Sequence, residues 1–277
     1  MLYPLLFEPI RKEMVWGYES WDISCREREM SVIENGPLAG TAFGDAIRRN
    51  PKGMLGEKAD EFPLLVKIIS ARDDLSVQVH PCDGYARKHG FESGKSEMWY
   101  VIETPGHLII GLKDGATKEA LLDSPMAWLN ELPVKPGDLI DIPAGLVHAM
   151  VGGTVVAEIQ QNSDVTFRLY DYGRKGLDGK PRELHIEHAL AVLDFEGRIP
   201  KETRQSVKSP FFGVTKLCVD GKRAETTSPE SFSIYTCVQG SCTVDGVKLD
   251  NRRSVFVPAG FGAHEIEGSA VLLKTIL

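Results

Sequence analysis

A chain of 277 residues, 42% hydrophobic and 26% charged, is long enough to bury a sizeable core and fits one large or two medium domains. Its 32 basic and 39 acidic residues leave a formal net charge of −7 with no long run of either sign, which argues against a nucleic acid or an anionic membrane as partner. No segment reaches the ~18 apolar residues of a membrane span, and MLYPLLFEPI at the start lacks a basic leader or small-residue cleavage site, so a cytoplasmic location is expected. Cys25, Cys82, Cys218, Cys237 and Cys242 form no C-x-x-C pair and are odd in number, the pattern of reduced thiols, and Cys82 reads as a small hydrophobe rather than a ligand.

Along the chain, WDIS (Trp21 to Ser24) is strand-like and Asn35 to Gly40 is a Gly/Pro turn. A short helix is expected around Thr41 to Arg49, stopped by Asn50-Pro51. Trp16 and Trp21 read as packing residues. From Phe62 the run PLLVKII is a buried strand, and SVQVHP follows a turn at Asp73-Asp74. Successive side chains of a strand point to opposite faces, so Gln78 and His80 share one face, as a ligand pair would.

Residues 81–94 read as a polar loop. SEMWYVIE then sets Glu97 at the mouth of a strand, which a turn at Thr104 to His107 joins to the next. Thr117 has N-cap character ahead of KEALL, and two short helices are expected around Pro125. Gly137, Pro143, Gly145 and His148 complete the spacing G-x5-P-x-G-x2-H, with Gly and Pro supplying tight turns at a rim. Singly, Gln78, His80, Glu97 and His148 could each be a satisfied buried polar group. Together, two imidazoles, a carboxylate and an amide oxygen suit a divalent ion, and ligand type alone admits zinc, iron or manganese.

An internal repeat organises the chain. SEMWYVIETPGHLIIG is echoed by ESFSIYTCVQGSCTVDG, and DLIDIPAGLVHAM by SVFVPAGFGAHEI. The offset between copies falls from 134 at Gly106 and Gly240 to 115 at Pro143 and Pro258, so the first copy carries 19 more residues, matching a helical insertion at about 113–132. The expected organisation is a metal-binding catalytic domain at 1–182, a connecting helix and linker at 183–204, and a C-terminal barrel at 205–277. That barrel is expected to hold no metal: Ser231 stands where Glu97 does, and His264 follows P-x-G one residue late.

The G-x5-P-x-G-x2-H spacing resembles the cupin signature, and Q-x-H followed by K-x-E and a distant His resembles type I phosphomannose isomerase. WGYESWDIS, FPLLVKIISARDDLSVQVHP and TFRLYDYGRKGLDGKPRELHIEHAL agree, so the resemblance spans most of residues 1–195. It implies a mainly β protein of two cupin-type β-barrels (a bicupin) with a small helical insertion and a connecting helix. It also implies one Zn2+ per chain on Gln78, His80, Glu97 and His148, and interconversion of mannose 6-phosphate and fructose 6-phosphate through an enediol or enediolate.

Within that resemblance Lys95, two residues before Glu97, faces the metal mouth. Arg168 matches a catalytic arginine and Glu158 a carboxylate suggested as the base. Ser76, two residues before Gln78, is expected either to face the sugar or to be an ordinary strand hydroxyl. The permanent charge of Arg168 suits an enediolate or phosphate better than proton abstraction. Substrate binding therefore falls to Ser76, Lys95 and Arg168. His185 and His188 lack a third ligand, His89 and His107 belong to no constellation, and Lys175, Lys180 and Arg182 read as solvated. The partner expected is a small-molecule sugar phosphate, with the chain a monomer or weak homo-oligomer. Two alternatives stay open: an iron cupin oxygenase, disfavoured by Gln78, and a metal-binding cupin that acts on another sugar phosphate or senses sugar without turnover.

Overall fold

The computed structural model describes residues 2–196 and 205–277. The chain is mainly β, with 46% strand and 14% helix. Backbone contacts divide it into two units, one of Met1–Ile10, Ser20–Ile68 and Gln205–Leu277, the other of Arg11–Glu19 and Ile69–Arg204. This grouping cuts across the chain-order division at 182 and 205. Its physical basis in the first unit is an aromatic cluster: Phe43 meets Phe7, Phe62 and Phe256 edge to face at 4.7 to 5.1 Å, and Phe232 lies 5.1 Å from Phe256. Such ring pairs contribute about 0.5–1.5 kcal/mol each beyond the area they bury, which ties residues 7–62 to the C-terminal strands. The longest ladder of that unit is Gly213–Thr227 against Gly262–Ile276, 15 residues each.

The second unit carries every candidate site residue. One sheet runs in the order Leu129–Pro133, His107–Leu112, His148–Ala149, Val77–Val79, Phe167–Tyr170. Another sets Glu97–Glu103 between Leu139–Ile142 and Val155–Gln161. Leu108 and Ile110 from the first pack with Trp99, Val101, Ile140, Ile142 and Val156 from the second, so the two sheets meet face to face. On the far side of the first sheet Val77, Val79, Phe167 and Leu169 pack with Ala189 of the helix Ile186–Val192 and with Leu121 of the helix Lys118–Asp123. Burying each such side chain stabilises the unit by about 1.5–3 kcal/mol, and by alternation it turns Gln78, His80 and Arg168 to the opposite, interior face.

Four local expectations are revised. Among the described residues the ladders form separate sheets rather than closed barrels. Pro51 does end the helix Phe43–Arg49, but it also starts another, Pro51–Leu55, whose first turn Asn50 caps by accepting from the Gly53 amide. The loop after His80 contains the helix Asp83–Lys88. The insertion holds the helix Lys118–Asp123, capped by Thr117 Oγ1, and the 3-10 turn Pro125–Trp128, after which Leu129–Pro133 returns as a strand paired with His107–Leu112. The connecting helix is Ile186–Val192, and 197–204 of the expected linker lies outside the described residues. Among the described residues no helix is long and apolar enough to cross a membrane.

Candidate metal centre and active site

His80 and His148 come from different strands, and each has its tautomer set by a backbone carbonyl. His80 Nδ1 donates to the Val165 carbonyl and His148 Nδ1 to the Leu146 carbonyl, both at 2.9 Å, which leaves each Nε2 as a lone pair facing the interior. A carbonyl that fixes one ring nitrogen so that the other can coordinate is the usual second partner of a metal-binding imidazole. Both rings are buried, and they lie 4.9 Å apart between centroids. Burial, and then the charge of Lys95, pushes the His80 imidazolium down to about 3; burial also depresses His148, against the opposing pull of Glu97. Both are therefore neutral near pH 7, as coordination requires.

Glu97 completes the group. Its Oε2 lies 3.4 Å from His80 Nε2 and its Oε1 3.4 Å from His148 Nε2, and one ligand atom from each of the three residues falls within 4.8 Å of the others. Burial raises its carboxyl, but the charge of Lys95, with His80 and His148, outweighs that and holds it well below the ordinary carboxylate range. Lys95 Nζ forms a 2.6 Å ion pair with Glu97 Oε2, and apart from that ion pair neither oxygen of this fully buried carboxylate has a hydrogen-bond partner among the described residues. Two inward lone pairs and a buried, ionised carboxylate fit a divalent cation, and the donor set suits a zinc-like ion.

The other expected residues surround this group. Gln78 Nε2 donates to His148 Nε2 at 3.3 Å, and Gln78 Oε1 accepts from Ser76 Oγ at 3.3 Å, so Ser76 touches the amide of Gln78. Lys95 Nζ also donates to His80 Nε2 at 3.2 Å and lies 3.7 Å from Glu158 Oε1. Arg168 is the direct cross-strand partner of Gln78, which sends their side chains to one face. Its backbone is held by His185, whose Nδ1 accepts from the Arg168 amide and whose own amide donates to the Arg168 carbonyl. The buried Nε of Arg168 has no hydrogen-bond acceptor among the described residues.

Arg182, expected to be solvated, instead pairs with buried Asp171 at 3.0 Å; burial, and then Arg168, depress its pKa. His188 has a packing role, stacked on Phe167 at 4.8 Å and bonded to the Tyr85 hydroxyl. In the C-terminal strands His264 Nδ1 bonds the carbonyl two residues before it, as His148 does, but its Nε2 meets the Tyr235 hydroxyl at 2.9 Å.

Two interior residues were missed. Trp99 donates its indole N–H to Glu158 Oε2 at 2.7 Å, and Gln160 donates to the carbonyls of Gln161 and Ser163 while its fully buried Oε1 has no donor among the described residues. The signal for both was the alternation already used for the ligands. Trp99 is two residues after Glu97, and Gln160 is two after Glu158.

Fold and site together define a cupin-domain protein with a buried His/Glu/His candidate metal centre. The description of the phosphomannose isomerase type I catalytic domain matches residues 10–99, and that of the mannose-6-phosphate isomerase cupin domain matches 202–276. A probable mannose-6-phosphate isomerase, GmuF, of Bacillus subtilis (strain 168) is 36% identical over 97% of this chain and 98% of its own. The mannose-6-phosphate isomerase ManA of the same organism is 32% identical over 96% of each. The crystal structure of a mannose 6-phosphate isomerase from Bacillus subtilis superposes with a TM-score of 0.89 at 28% identity, covering 98% of this chain and 99% of that one. The chain belongs to the type I phosphomannose isomerase family of enzymes.

Proposed function

We propose that this enzyme interconverts mannose 6-phosphate and fructose 6-phosphate, with one Zn2+ held by Gln78, His80, Glu97 and His148. The observation that carries the reading is the convergence of three ligand atoms within 4.8 Å beside the ammonium of Lys95 and the carboxylate of Glu158. A divalent ion held there would stabilise negative charge developing on the sugar oxygens, by several kcal/mol. For Gln78 to serve through its oxygen its amide turns over, and the Ser76 hydroxyl, donor and acceptor alike, then accepts from the amide nitrogen.

Glu158 takes the proton from C2 of the aldose as the C2–H electron pair forms the C1–C2 double bond and the C1 carbonyl oxygen gains a proton. Return of the proton to C1, with loss of the proton on O2, yields the ketose. Lys95 offers its ammonium to the oxygen on which charge grows. Arg168, permanently cationic and with an unused buried N–H, suits the phosphate or the enediolate.

A coupled assay of mannose 6-phosphate to fructose 6-phosphate conversion on one preparation, as isolated, chelated and zinc-restored, is expected to show activity lost on chelation and regained with zinc. A flat trace from metal-loaded protein would move the weight to another sugar phosphate, to oxygen chemistry or to a sensor. Arg168→Ala is expected to keep its zinc, since the side chain touches no ligand among the interactions described, and to lose turnover about 10²- to 10³-fold, the usual effect of removing one charge-stabilising donor. Turnover within a few-fold of the parent would reject a catalytic role for Arg168.

A further inference from the structure

We infer that Trp99 is a positioning residue for proton transfer: its indole clamps one oxygen of Glu158, so that the carboxylate works through the other. The inference rests on the reading of Glu158 as the base. Trp99 and Glu158 are direct cross-strand partners on Glu97–Glu103 and Val155–Gln161, and both side chains are at most 2% exposed. The indole has a single N–H and no acceptor, so it can bind one carboxylate oxygen only, and it binds Oε2 at 2.7 Å. Oε1 is the oxygen that lies 3.7 Å from Lys95 Nζ, on the side where the ligand atoms converge.

The same indole stands edge to face against the His148 ring, with centroids 5.3 Å apart and planes at 86°. One rigid side chain thus touches a candidate ligand and the base together, and sets the carboxylate plane relative to the metal centre. A charge-assisted hydrogen bond in a dry interior both orients the carboxylate and limits its rotation. Proton abstraction from carbon is sensitive to such orientation, because the reacting atoms must approach to within about 3–3.5 Å in line.

Trp99→Phe keeps an aromatic ring against His148 and removes the N–H. Losing a hydrogen bond to a charged group is expected to lower kcat about ten- to a hundredfold. KM for mannose 6-phosphate should stay within about twofold and zinc content unchanged, and the isotope effect on kcat with substrate deuterated at C2 should rise as proton abstraction becomes more limiting. Coupled sites give non-additive cycles. Placed in a Glu158→Gln background, Trp99→Phe should therefore cost little further.

A second readout needs no turnover. In protein labelled with 15N at the indoles, the Trp99 N–H resonance, assigned by its absence in Trp99→Phe, should be protected from exchange and should move on Glu158→Gln. An unshifted resonance overturns the clamp. A kcat loss in Trp99→Phe that is fully additive with Glu158→Gln, or that tracks zinc loss, overturns the positioning role. If the parent enzyme shows no isomerisation, the isomerase reading fails, while the resonance still reports on the clamp.

Discussion

His80→Ala is expected to lose bound zinc and turnover together. In the proposed site the imidazole would supply one of the two neutral nitrogen donors, oriented by the Val165 carbonyl, and its removal would leave Gln78, Glu97 and His148 as an incomplete set. Without it Lys95 Nζ keeps its 2.6 Å ion pair with Glu97 and competes with the cation for the one carboxylate. A structural zinc site uses four protein ligands, and alanine would leave only Gln78, Glu97 and His148, with a single imidazole among them. The stabilisation forfeited is several kcal/mol, which at 1.36 kcal/mol per decade is a fall in kcat of about 10³-fold or more. Metal analysis of the purified variant beside the coupled assay is the check, with circular dichroism to establish folding. A folded variant with full zinc and normal turnover would remove His80 from the ligand set.

Glu158→Gln is expected to keep zinc and lose about 10²- to 10⁴-fold in kcat, the usual contribution of a positioned general base. The substitution preserves shape, and its amide oxygen can still accept the Trp99 N–H, so the packing of the site is retained and the ability to take up a proton is removed. Glu158 is no part of the His80, Glu97, His148 group, and its Oε1 lies 3.7 Å from Lys95 Nζ. Zinc content and KM near parental values would therefore accompany the loss of kcat. A variant that still exchanges the C2 deuteron of substrate with solvent at the parental rate would transfer the base to another group, with Lys95 the first to test.

The faces of the strands that line the site were largely legible in local pattern. Strand alternation put Gln78 and His80 on one face, and the packing of Val77 and Val79 on the other side bears this out. The same logic applied to Phe167, Arg168 and Leu169, whose apolar members lie in the same cluster. A strand writes its two faces into consecutive residues, so no long-range information was needed. The helix Asp83–Lys88 was not legible: it is six residues long and stands on distant partners, with Asp83 accepting from the Gly94 amide and from Gln161, and Ala86 buried. Short helices have little intrinsic stability, and tertiary contacts decide them.

By itself, then, the sequence determined the strand faces, the spacing that delivers His148 and the family. Only the tertiary structure decided that residues 20–68 group with the C-terminal strands, which backbone carbonyls, those of Val165 and Leu146, set the two imidazole tautomers, and that Trp99 reaches Glu158. The dividing line is physical. Periodicity and turn chemistry act over a few residues, whereas a phenylalanine cluster joining Phe7 to Phe256, or an indole bonding a carboxylate 59 residues away, exists only once the chain has closed on itself.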